Sequence, residues 1–119
     1  MAKILAVDDT LLIRSMVEAV LKSAGHEVIL ASDGVDALEI ARTHQVDLVL
    51  SDINMPIMNG ISLVSKLRLL DGYKFTPIIM LTTESSDFKK QKAKAMGATG
   101  WLQKPFTPER LLAAIERLA

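Results

Sequence analysis

Short apolar runs recur along the chain at Ile4 to Val7, Val28 to Ala31, Leu48 to Leu50, Ile78 to Leu81 and Gly100 to Leu102. They are too short for helices and carry mostly Val, Ile and Leu, which predicts five strands buried on both faces. Between them, apolar residues repeat at spacings of three and four. Ile13, Met16, Val17, Val20 and Leu21 predict a first helix, and Val35, Leu38 and Ala41 a second. Leu63, Val64 and Leu67 predict a third, Phe88, Ala95 and Met96 a fourth, and Leu111, Leu112, Ile115 and Leu118 a fifth. Punctuation agrees with these limits: Gly25 and Gly97 follow helices, Ser32-Asp33-Gly34 and Asn59-Gly60 precede them, and Thr107-Pro108-Glu109 reads as N-cap, first helical residue and first-turn acid. Strict alternation requires parallel strands with a crossover helix after each. The expected fold is therefore an α/β, doubly wound (βα)5 layer structure.

The 119 residues suit one domain spanning 1–119, with no repeat or linker that would mark a second. Fourteen basic residues balance fourteen acidic ones, so the chain lacks the positive field that nucleic acid or anionic lipid demands. No apolar run reaches the ~20 residues of a membrane span, and the first residues lack the layout of a signal peptide. Cysteine is absent, which excludes disulfides and thiolate chemistry. A cytoplasmic protein without membrane insertion is expected.

In open parallel sheets, chemistry collects beyond the carboxyl ends of the strands. Asp8-Asp9 follows the first run, Ser51-Asp52-Ile53-Asn54-Met55-Pro56 the third, Thr82-Thr83-Glu84 the fourth and Gln103-Lys104-Pro105 the fifth. Adjacent first and third strands would bring Asp8, Asp9 and Asp52 together. Two carboxylates about 4 Å apart repel by about 4 kcal/mol at an effective dielectric near 20, so three need compensation. Lys104 supplies one positive charge and a divalent ion would fill the remaining deficit. An all-oxygen donor set with few carboxylates suits Mg²⁺, with Mn²⁺ as the alternative. A helix cap would account for one of the paired acids, and a side-chain-bonded turn for Asp52 with Asn54, but neither accounts for Lys104 and Thr82 at the matching strand ends.

These motifs, with Lys104-Pro105-Phe106, resemble the receiver domain of two-component response regulators over the whole chain. The resemblance implies a flavodoxin-like parallel sheet of order 2-1-3-4-5. It implies that Asp52 accepts a phosphoryl group from a histidine kinase, and that Lys104 pairs with Asp52 or its phosphate. Asp9, Asp52 and the backbone carbonyl of Asn54 would hold the metal directly, with Asp8 acting largely through water. Thr82 would bond a phosphoryl oxygen, and the Lys104-Pro105 bond would be cis. Trp101 stands where the family usually has Tyr or Phe as a switch aromatic, and it suits a core role equally well. Asn54 and Glu84 would flank the attacking water and tune phosphoryl lifetime. The changing face would comprise the fourth helix, fifth strand and fifth helix. That pair, with Leu81-Thr82-Thr83-Glu84-Ser85-Ser86 and Gly97-Ala98-Thr99-Gly100-Trp101, is similar to the stand-alone chemotaxis (CheY-like) members. The similarity implies a monomer that assists its own phosphotransfer, a chemotaxis kinase as donor, a flagellar motor switch protein as target, and a phosphatase as a further partner.

A phosphorelay or another single-domain pathway is the alternative within this class. A Mg²⁺-dependent phosphohydrolase of the haloacid dehalogenase type would need Asp-x-Asp after the first strand, which Asp8-Asp9-Thr10 does not provide. A structural adaptor indifferent to Asp52 is the third reading. Lys89, Lys90, Lys92 and Lys94 read as a solvated face of the fourth helix, or more sharply as steering toward an acidic partner. His26 and His44 are expected at the surface away from the acids. Met55, Met58, Met80 and Met96 read as loop and core packing.

Overall fold

The computed structural model describes residues 2–83 and 87–118, with side chains at 87–89 outside that description. The strands are β1 (Lys3–Val7), β2 (Glu27–Ala31), β3 (Leu48–Asp52), β4 (Ile78–Thr82) and β5 (Gly100–Gln103). They alternate with α1 (Leu11–Ser23), α2 (Gly34–Thr43), α3 (Gly60–Arg68), α4 (Asp87–Ala95) and α5 (Pro108–Leu118). All pairings are parallel in the order β2-β1-β3-β4-β5, as the resemblance implied.

Alternation within each strand divides the core into two layers. Leu5, Val7, Val49, Ile78 and Met80 pack against α2, α3 and α4 through Leu38, Ala41, Leu63, Val64, Leu67 and Ala93. Ile4, Ala6, Leu48, Leu50, Ile79 and Leu81 pack against α1 and α5 through Val17, Leu21, Leu111, Ala114 and Ile115. Burial on both faces holds for β3 and β4. It fails for β2, an edge strand whose Val28, Ile29 and Leu30 are half-buried because only β1 flanks it. The fourth helix also departs from expectation. Its inward residue is Ala93, while Ala95 and Met96 are exposed and Phe88 lies outside the described side chains.

Helix starts follow local chemistry. Asp33 accepts from the Asp36 N–H, Asn59 from the Ser62 N–H and Thr107 Oγ1 from the Arg110 N–H, so three helices carry side-chain N-caps. His26 is half-buried, and its Nδ1 lies 3.0 Å from the Ala2 N–H that donates to it.

The loop from Ile53 to Asn59 holds an unusual residue. Ile57 has φ +72°, and the Met58 N–H donates to the Pro56 carbonyl at 2.7 Å, closing a γ-turn around a β-branched side chain. Ile57 is exposed, so packing within the chain returns little of that strain. Ile57→Asn is expected to stabilise the protein by about 1 kcal/mol, because asparagine tolerates the left-handed region. An unchanged or lower urea midpoint would contradict this.

Candidate functional site

Strand register gathers the acids and the lysine at one edge. Val7 lies opposite Ser51, Asp52 opposite Leu81, and Thr82 opposite Gln103. The ladder runs one residue further: the Asp8 N–H donates to Ala31 O at 3.2 Å, Ile53 N–H to Leu81 O at 3.2 Å, and Lys104 N–H to Thr82 O at 2.7 Å. Asp8, Asp52, Thr82 and Lys104 are thus held by sheet backbone rather than by mobile loops.

Carboxylate oxygens of Asp8, Asp9 and Asp52 lie within 4.8 Å of one another. Asp8 and Asp52 are buried, whereas Asp9 is exposed and leaves the group open to solvent. The Lys104 Nζ stands 2.7 Å from Asp8 Oδ2 and 3.5 Å from Asp52 Oδ2, so its shorter contact is with Asp8. Asp8 Oδ1 accepts from the Thr10 N–H at 2.8 Å, which fixes the other end of that carboxylate. The Lys104-Pro105 bond is cis.

One cation at this edge escaped the sequence reading. The Arg14 guanidinium donates to the Asp8 carbonyl at 2.6 Å and braces the β1–α1 connection. Its signal was present: α1 has no acid in its first turn, and a cation near a helix N-terminus opposes the macrodipole unless something else holds it.

Burial pushes the Asp52 carboxyl above its ordinary range. The Lys104 ammonium opposes this, while Asp8 and Asp9 add to it. Excess negative charge in a partly buried, oxygen-only cluster is the donor set that a hard divalent cation satisfies. The residues therefore fit Mg²⁺.

Thr82 is fully buried at the end of β4. Trp101 is half-buried on β5 opposite Met80, with the Lys90 Nζ 5.5 Å from its ring centroid. Its buried Nε1 has no hydrogen-bond partner among the described residues. Asn54 is exposed two residues beyond Asp52. Glu84, with Ser85 and Ser86, lies outside the described residues.

The sequence pattern described as "Response regulator receiver domain" matches residues 4–116. The chain belongs to the response regulator receiver domain family. Among solved structures, the chemotaxis protein CheY4 of Vibrio cholerae is 54% identical with a TM-score of 0.98, covering 100% of this chain and 99% of its own. Protein PilG of Pseudomonas aeruginosa is 39% identical over 96% of this chain and 84% of its own length. The receiver domain of sensor histidine kinase PA1611 from Pseudomonas aeruginosa is 29% identical with a TM-score of 0.91, covering 98% of this chain and 96% of its own. That structure carries a magnesium ion coordinated in its active site cleft.

The CheY-like receiver domain that the motifs suggested is therefore supported by both sequence and fold. Such a domain is a two-component signalling protein rather than a conventional enzyme, and its class of partner is a histidine kinase. Receiver domains bind Mg²⁺ at an acidic pocket, and the Asp8, Asp9 and Asp52 cluster occupies the matching edge here. Among the described residues, no helix is long and apolar enough to cross a membrane.

Proposed function

We propose that this chain is the phosphoacceptor switch of a chemotaxis pathway, working as a single receiver domain in the cytoplasm. Its carrying observation is the convergence of three carboxylates within 4.8 Å beside an ammonium that reaches two of them. Asp52 attacks the phosphorus of a phosphohistidine: the P–N bond breaks, an O–P bond forms, and the imidazole leaves with a proton. Asp8, Asp9, Asp52 and the Asn54 backbone carbonyl would hold Mg²⁺, with Mn²⁺ as a substitute. The ion supplies neutralisation of charge developing on the phosphoryl oxygens.

Lys104 pairs with Asp8 before transfer and is close enough to Asp52 to follow the new phosphate. Thr82 bonds a phosphoryl oxygen and draws its loop inward, and Trp101 responds on the adjoining strand. Trp101's half-burial and its unpartnered Nε1 support a residue with a second arrangement available. Asn54 and Glu84 set the rate of hydrolysis. The α4–β5–α5 face then binds a flagellar motor switch protein, and a phosphatase resets the system. The CheY4 similarity supports the chemotaxis assignment. The working species is a monomer.

Incubation with acetyl phosphate and Mg²⁺ tests the chemistry. Intact mass should rise by one phosphoryl group, roughly 80 Da, and Asp52→Asn should abolish the gain. An unmodified wild type, or the same gain in the variant, would reject the mechanism. Retention of a motor-switch peptide only after phosphorylation tests the output.

A further inference from the structure

We propose that the groove between α3 and α4 is a docking site for an acidic, amphipathic helical segment of another protein, separate from the α4–β5–α5 face. The groove has a volume of about 280 Å³ and is lined by Asn59, Ile61, Ser62, Ser65, Lys66, Lys92 and Met96. Asn59, Ser62, Ser65 and Lys66 follow helical spacing along one wall, and Lys92 and Met96 stand four apart on the other. Each wall thus carries one ammonium and one side chain from the apolar pair Ile61 and Met96.

Charge selects the occupant. By sequence, α3 and α4 carry six basic residues, Lys66, Arg68, Lys89, Lys90, Lys92 and Lys94, against the single acid Asp87, within a chain whose charges balance as a whole, so that the rest of it is net acidic. On α1 and α2, Lys22 lies 3.2 Å from Glu18 and Arg42 2.7 Å from Glu39, so those cations already have acidic partners on their own helices. Among the described residues neither Lys66 nor Lys92 has an acid within ion-pair distance, and no acid lines the groove. Two ammonium groups facing across a concavity repel until an anion enters between them.

A simple anion is a poor fit. The α3 N-terminus is already capped, because the Ser62 N–H donates to Asn59 Oδ1 at 2.9 Å, and the apolar pair would gain nothing from it. Nucleic acid needs a longer basic track than two lysines provide. A helix with carboxylates on one stripe and aliphatic side chains on the next satisfies both chemistries, with Ser62 and Ser65 available for hydrogen bonds. Such a ligand would touch Asn59, which closes the loop after Asp52, and α4, which follows Thr82. Binding there can consequently be biased by events at Asp52.

The test uses unphosphorylated protein in EDTA, so its outcome is independent of phosphoryl transfer. A blocked peptide of about twelve residues, with leucine at i, i+3, i+4 and i+7 and glutamate elsewhere, is titrated while amide resonances are followed. Saturable shifts at Ser62, Ser65, Lys66, Lys92 and Met96 are expected. Lys66→Glu with Lys92→Glu should weaken binding about ten-fold or more, whereas Lys22→Glu with Lys74→Glu, of the same net charge, should stay within about two-fold. Absence of saturable binding, equal weakening by both pairs, or shifts confined to Lys90, Trp101 and Arg110 would overturn the proposal.

Discussion

Gly60→Ala is expected to cost about 3 kcal/mol or more and to disorder the edge that carries Asp52. A Cβ on Gly60 would lie 2.1 Å from the Asp52 backbone oxygen, 2.8 Å from Met80 Cε and 2.9 Å from Ile53 Cα. Met80 Cε ends a flexible side chain and can withdraw, but the Asp52 carbonyl and Ile53 Cα are backbone at the end of a fully buried strand. The helix cannot simply retreat either, because the Gly60 N–H donates to the Ile53 carbonyl at 2.8 Å and Leu63, Val64 and Leu67 on the same helix are buried. Ordinary overpacking costs about 1–3 kcal/mol, and a collision with the backbone of the Asp52–Ile53 peptide falls at or above the upper end. Gly25→Ala is the control: nothing lies within 4 Å of its Cβ, so only the φ of +88° penalises it, by about 1 kcal/mol. Urea denaturation should rank the two accordingly. A Gly60→Ala protein as stable as Gly25→Ala would show that the approach of α3 to β3 is not tight.

Much of this site is legible in the sequence because it obeys two short-range rules. Apolar runs with amphipathic stretches between them specify parallel strands, and the residues just past each run fall at one sheet edge. Asp8, Asp9, Asp52, Thr82 and Lys104 are placed by counting alone. Strand order is different: spacing does not contain it, and the resemblance supplied it. What stayed hidden depends on contacts between distant positions. The Arg68 guanidinium donates to the carbonyls of Tyr73, Thr76 and Gly97, the last at 2.6 Å, and no local pattern marks an arginine that ties α3 to the connection before β5. The closeness of Gly60 to Asp52 reads in sequence only as a turn glycine. Ile57 is harder still, since a β-branched residue is a poor candidate for positive φ. The half-burial of β2 follows from its place at the sheet edge, which composition does not reveal.

Lys104→Met should lower stability by about 3 kcal/mol at pH 7 in EDTA, and Asp52→Asn should raise it. The lysine is mostly buried against two buried carboxylates, and taking away one partner of such a group leaves the others uncompensated. The sign for Asp52 follows from linkage. Burial, partly offset by Lys104 and reinforced by Asp8 and Asp9, raises its folded pKa above the ordinary 3.8. Its favourable contribution is therefore fully present below the unfolded value and is lost as pH rises through the folded one. At neutral pH the ionised carboxylate destabilises the metal-free fold, so an uncharged amide of similar shape should relieve it. Lys104→Met removes the chief influence that lowers this pKa, pushing it further up and extending the loss to higher pH. The deficit of Lys104→Met should accordingly shrink on acidification. Adding Asp52→Asn to Lys104→Met should recover part of it, giving a coupling outside simple additivity for groups in contact. Urea titrations of the four proteins at neutral and acidic pH measure all of these effects. A neutral Lys104→Met, or an Asp52→Asn that weakens the metal-free protein at pH 7, would mean that the ammonium is not what balances these acids.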